Sequence, residues 1–321
     1  SLIQAPRGSE TFVAHHPWFE EVKLVINLDT ITNAPPVFTR TSTGDGLWVQ
    51  ALARSVRRPY LTSLPYHLFP AGDTDIVPFA DAGIPAADFS ATGKFPELHT
   101  TSDLPEVVNP ARLQQNGNQI LSLVRYLGAQ ALLEQSVPDQ TFFPMFGFLV
   151  HYPSSWALPL VILAGLCFLV AFIYGFLKRE FTWRGLGLSF LTFLLTLALC
   201  LGIVMFVWMG IQALHPEYQY STSRARLSDD YLYAVGLVFL SLSVFTSVIA
   251  LIRKIISRLD LSGGALLIWL PGSIAAAIVA PATSYTFTWV LLSGSLVLLL
   301  AIRGEVLGKR LPSELCLLFS A

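Results

Sequence analysis

A soluble α/β unit followed by an all-helical unit of about five membrane-spanning helices is the architecture this sequence predicts, on three observations. Up to about residue 145, apolar and polar residues alternate among frequent Pro, Gly, Asn and Asp, as in a compact domain. From Trp156 on, charged residues vanish from long stretches. The whole chain is 53% hydrophobic and 13% charged with a mean hydropathy of +0.59, well off the balance of a soluble protein. The expected division is therefore 1–145 and 146–321.

In the first unit, Glu10 to Glu20 is helix-like. Leu24 to Leu28 is a short apolar, partly β-branched run that predicts a buried strand ending at Asp29. Val37 to Thr41 suggests a second strand. Gly46 to Val56 sets Leu47, Val49, Leu52, Ala53 and Val56 at helical spacing, and Pro59 ends it. Asp81 to Phe89 reads as a helix end with a Gly stop, then a strand. Asn109-Pro110 opens a helix expected to reach about Leu133, with Pro where its missing N–H costs nothing.

In the second unit, Trp156 to Leu177, Leu186 to Leu214, Tyr231 to Ile252 and Leu261 to Ile302 contain no Asp, Glu, Lys, Arg or His. A helix crosses a hydrocarbon core of about 30 Å with roughly 20 residues. The last run is twice that, and Ala280 to Ser284 supplies a turn, so the expected spans are 156–177, 186–214, 231–252, 261–280 and 286–302. Lys178, Arg179, Arg184, Arg253, Lys254, Arg258, Arg303, Lys309 and Arg310 fall on one side of these spans and only Arg224 and Arg226 on the other. The basic side is cytoplasmic by the positive-inside rule, so the first unit is expected outside the cytoplasm: periplasmic, extracellular or in an organelle lumen such as a vacuole. Membrane lipid is the implied partner. A net charge of −1 offers no basic footprint for nucleic acid. Cys167, Cys200 and Cys316 all lie outside the first unit, so a metal there must be held by His, Asp or Glu.

Two residues stand out chemically. Asp29 closes a buried strand, where open α/β sheets place their sites, although a capping Asp would occupy the same place. His99 lies in a Pro-containing loop, where a solvated His is equally at home. His15 and His16 are adjacent, diverge by about 100° on a helix, and read as solvated. His67, His151 and His215 show no partner pattern.

Asn27-Leu28-Asp29, then Asp73-Thr74-Asp75-Ile76-Val77-Pro78-Phe79, then Ala82-Gly83-Ile84-Pro85-Ala86, then His99-Thr100-Thr101-Ser102-Asp103 together resemble the second half of the co-catalytic di-zinc aminopeptidase family. Gly8 to Val13 with His16-Pro17-Trp18 looks like the helix after that family's paired Glu residues. Pro281 to Trp289, within a multi-span region, looks like its vacuolar-membrane-protease branch. The resemblance implies an α/β zinc-aminopeptidase-like domain, partial here, with a central mixed sheet and flanking helices. It implies peptide substrates, two zinc ions per complete site, and hydrolysis by a metal-activated water. Of five ligands it carries two onto this chain, Asp29 and His99. The other three and the general-base Glu are expected upstream of Ser1, so the chain as given is expected to be inactive. Asp73, Asp75 and Asp103 would orient the ligands or stabilise turns. Leu98 stands where many members have Tyr. The alternative is a non-catalytic membrane protein whose degenerate peptidase fold serves as a binding ectodomain. No initiator Met or signal-like stretch opens the chain, and Leu315 to Phe319 resembles the start of another apolar segment. The sequence is therefore expected to continue at both ends.

Overall fold

The computed structural model describes residues 7–29, 36–41, 46–56, 74–91, 104–129, 137–146, 148–215 and 230–306. The chain forms two compact units, Ser1–Trp156 and Ala157–Ala321.

In the first unit, helix α1 (Arg7–His15) stops short of the expected Glu20, because Pro17 has no N–H to continue it, and a 3-10 turn (Pro17–Glu21) follows. Strand β1 (Val25–Asp29), strand β2 (Pro36–Thr41), helix α2 (Gly46–Ser55), helix α3 (Val77–Asp81) and strand β3 (Ala86–Ala91) come next. The Gly stop is realised at Gly83, whose φ of 80° suits a residue without Cβ. β3 is the central strand of the sheet, parallel to β1 and antiparallel to β2, with a register shift between Phe38 and Arg40.

Helix α4 (Pro110–Gly128) starts as expected: the Asn109 side chain accepts from the N–H groups of Ala111 and Arg112 at 3.0 and 3.2 Å. It ends five residues before Leu133, at Gly128, a poor helix former. Strands β4 (Gln140–Met145) and β5 (Phe148–Pro153) form an antiparallel hairpin. A boundary at 145 would cut that hairpin; the compact unit runs on to Trp156 because β4 and β5 carry Phe142 and Leu149 into its core. Trp48, Val49 and Leu52 of α2, Ala87 and Phe89 of β3, and Leu123 and Leu127 of α4 complete that core. Each fully buried Phe there contributes on the order of 2 kcal/mol. Gly46 can open α2 only as Gly, since a Cβ would run into the backbone of Val137 and Pro138.

Among the described residues the second unit contains five helices long and apolar enough to cross a membrane: α5 (Ala157–Leu177), α6 (Trp183–Leu214), α7 (Asp230–Ile252), α8 (Arg258–Val279) and α9 (Tyr285–Val306). The expected turn between the last two is a 3-10 turn, Pro281–Thr283, in which the Thr283 and Ser284 hydroxyls donate to the carbonyls of Ala280 and Pro281. Phe168, Leu266, Leu291 and Leu298 share one core, and Phe193, Ile249, Leu261 and Ala265 another. Several hydroxyls within the helices turn back to their own backbone, as Ser189 does to Gly185 and Thr196 to Thr192, which keeps them paired.

The helices extend about a turn beyond the uncharged runs. α6 takes in Arg184, and α8 takes in Arg258 and Asp260, all outside the uncharged runs. Asp260 is buried and accepts from the Thr182 N–H at 2.9 Å and the Thr182 hydroxyl at 3.1 Å. Thr182 in turn caps α6 by accepting from the Gly185 N–H. A Cβ on Gly185 would strike the Asp260 carboxylate, and one on Gly264 would strike Ser189. Small residues thus let α6 and α8 approach closely, as apolar helices do in lipid.

Candidate metal centre

Asp29 is the last residue of β1, in register with Ser90 of the parallel strand β3. Parallel strands finish at a common edge. β3 ends at Ala91; His99 lies outside the described residues, as do Asp73, Leu98 and Asp103.

Register at this edge is held by a polar bridge. Asn27 Nδ2 donates to Asp88 Oδ1 at 2.7 Å, across positions paired in the parallel ladder, and Asp88 is 2% exposed. Sliding β1 by one residue would break this bond and turn its side chains to the other face. On the other flank β2 places Arg40 opposite Asp88 in register. Sequence reading passed over Asp88. Its signal was a carboxylate in the middle of an apolar strand, where Asp is depleted and, once buried, needs partners.

Asp75 is exposed and accepts from the Ser9 hydroxyl at 3.2 Å, tying the turn before α3 to α1. Phe12 and Phe19 reinforce that contact by packing on Phe79. His16 is not a free solvated side chain. Its ring stacks on Phe12 with centroids 4.3 Å apart, and its Nδ1 accepts the Trp18 N–H at 3.2 Å to cap the 3-10 turn. His151 of β5 also has a partner, with Nδ1 3.2 Å from Gln140 Oε1. Partial burial of the ring, and then the Arg54 charge, lower its pKa below the ordinary value although the residue as a whole is exposed, because both disfavour the imidazolium. Among the described residues, no three His, Cys, Asp or Glu side chains come together to hold a metal ion. Asp29 with His99 offers a carboxylate and an imidazole, donors of the type zinc takes, but not the usual complement of about four.

Residues 4–124 match the family model described as Peptidase family M28. Among curated proteins the chain is similar to Endoplasmic reticulum metallopeptidase 1 of Rattus norvegicus, at 27% identity over 165 residues, covering 48% of this chain and 18% of that relative. The match thus spans less than a fifth of the relative's length. No solved structure matches the chain.

Proposed function

We propose, from the match of residues 4–124 to the model of Peptidase family M28, that the chain is part of a membrane-anchored, zinc-dependent exopeptidase of aminopeptidase type. The observation that carries the reading is the parallel pairing of β1 with β3. It starts Asp29 and the segment leading to His99 from one rim of the sheet, so that each can give one donor to one of two neighbouring zinc ions. Bound zinc supplies the Lewis acidity that makes water a nucleophile at neutral pH. The part of this chain's own residues is positional. The Asn27–Asp88 bridge holds β1 in register and so holds Asp29 at the rim. The Ser9–Asp75 contact braces α1 beside the segment that precedes β3. The remaining ligands and the general base implied by the resemblance have no counterpart among the residues matched to that pattern.

The five apolar helices are the membrane anchor in this proposal, each of 20 residues or more. The bias of basic residues toward the loops after α5, α7 and α9 supports a first unit on the side away from the cytoplasm. A non-catalytic peptide-binding ectodomain is the second reading, supported by Leu98 at the position where Tyr is common in the family.

The test is zinc content by elemental analysis beside hydrolysis of an aminoacyl amide, in the longest natural polypeptide that includes this sequence. Asp29→Ala and His99→Ala are each expected to lower the rate about 100-fold or more, since loss of a ligand exceeds the 10–100-fold typical of groups behind the ligands. Unchanged rates in both variants would overturn the assignment. Zinc-free, inactive wild-type protein that still binds peptides would establish the second reading.

A further inference from the structure

The β4–β5 hairpin has its apolar end outward. At its base Gln140, Thr141 and Phe142 are buried, and Gln140 Nε2 donates to the Pro138 carbonyl. At its tip Met145 is 47% exposed, Phe148 75% and Phe146 92%.

The turn itself does not explain Phe146. Its φ is 51°, a left-handed conformation that hairpin turns assign to Gly, Asn or Asp and that a bulky residue rarely adopts. The position therefore carries a side chain disfavoured by the backbone and nearly wholly given to solvent. An apolar contact outside the unit accounts for the exposure.

What lies within reach is given by the chain. β5 ends at Pro153, and after the three residues Ser154–Trp156 the apolar helix α5 begins at Ala157. A strand of six residues spans about 20 Å at 3.4 Å per residue, and three more residues lead to Ala157, so the tip is tethered within about 30 Å of the point where α5 starts. Trp156 at the junction is 57% exposed, a ring suited to the headgroup level. From Gln140 to Leu177 there is no Asp, Glu, Lys or Arg, so seating the hairpin against lipid desolvates no fixed charge. His151, the one imidazole in that stretch, is held toward its neutral form by burial and by Arg54.

We propose that the tip of this hairpin, Met145, Phe146 and Phe148, is a second membrane contact, resting in the headgroup and upper acyl region of the leaflet that α5 enters. The occupant is a lipid surface of either zwitterionic or anionic type, because the tip offers no charge to select between them. The inference rests on the reading of α5 as a span, and its test separates the two.

A nitroxide is attached to Phe146→Cys, and separately to Phe148→Cys, in the full chain with Cys167, Cys200 and Cys316 replaced by Ser. The protein is reconstituted in phosphatidylcholine vesicles. Accessibility to oxygen and to a water-soluble nickel chelate is compared with Leu163→Cys in α5 and Gln114→Cys on the exposed side of α4. Labels at 146 and 148 are expected to favour oxygen several-fold more than the label at 114, at a depth shallower than that at 163. The same depth with and without anionic lipid supports a hydrophobic contact. Nickel accessibility at 146 and 148 equal to that at 114, with 163 still deep, overturns the hairpin contact alone. Nickel accessibility at 163 overturns the membrane reading and the contact with it.

Discussion

Replacing Asp260 measures what joins α6 to α8. Its carboxylate takes two hydrogen bonds, from the Thr182 N–H at 2.9 Å and the Thr182 hydroxyl at 3.1 Å, and is 4% exposed. It also sits at the N-terminal ends of both helices, where two helix dipoles favour negative charge. Hydrogen bonds to a charged group are worth about 1.5–3 kcal/mol each, and a stranded N–H adds its own desolvation penalty. Asp260→Ala should therefore cost about 3–5 kcal/mol, the lower values applying if water reaches Thr182. Asp260→Asn keeps the shape. Its carbonyl can accept the N–H and its amide can donate to the hydroxyl oxygen, which has a lone pair to spare beside the one given to Gly185. What it loses is the charge, and about 1 kcal/mol is the expected cost. Thr182→Ala removes one of the two bonds and the cap of α6, for about 2 kcal/mol. The assay is reversible unfolding in mixed micelles by titration with a denaturing detergent. An Asp260→Ala cost below about 1 kcal/mol, or equal costs for the Ala and Asn variants, would refute the reasoning from hydrogen-bond geometry.

Two further outcomes are expected. The lowered pKa of His151 means that the unfolded chain binds its proton at a higher pH than the folded one, so stability is present above the unfolded value near 6.5 and is lost as pH falls through the folded value. Thermal unfolding of the first unit should decline between about pH 7 and 5 less steeply in His151→Gln than in the parent, and parallel curves would refute the assignment. In intact cells a cysteine at Gln114, exposed on α4, should react with an impermeant thiol reagent, whereas one at Ile255, exposed between α7 and α8, should react only after permeabilisation; the opposite pattern would reverse the topology.

What the sequence disclosed was whatever is local. The start of α4 was legible because Asn109-Pro110 carries its own chemistry, a side-chain acceptor followed by a residue with no donor to lose. The stop at Gly83 was legible for the same reason, since a positive φ selects Gly in any context. The spans were legible by length, but their ends were not. The charged first-turn residues Arg184 and Asp260 fall outside uncharged runs, although Asp260, a carboxylate at a helix N-terminus, is where the dipole favours negative charge. The hairpin carries no plain strand signature, because Pro144 and Pro153 each lack a backbone donor. In a two-stranded sheet each strand is an edge strand, and an edge strand can omit a donor.

The candidate site divides along the same line. Asp29 could be found because an apolar run ends there, a property of consecutive residues, although the strand is only partly buried and Leu28 is exposed. Asp88 could not, because nothing in Ala86-Ala87-Asp88-Phe89 states which neighbour will partner the carboxylate. Its partner, Asn27, sits 61 positions away and becomes adjacent only when β1 and β3 pair in parallel, after a crossover through α2 and α3. The residue that fixes where the proposed ligand stands is therefore less visible than the ligand itself, because a ligand is recognised by its type and a positioning residue only by its contacts. The same holds for Asp260: its charge is plain in the sequence, but the Thr182 it holds is 78 positions away and meets it only once α6 and α8 pack.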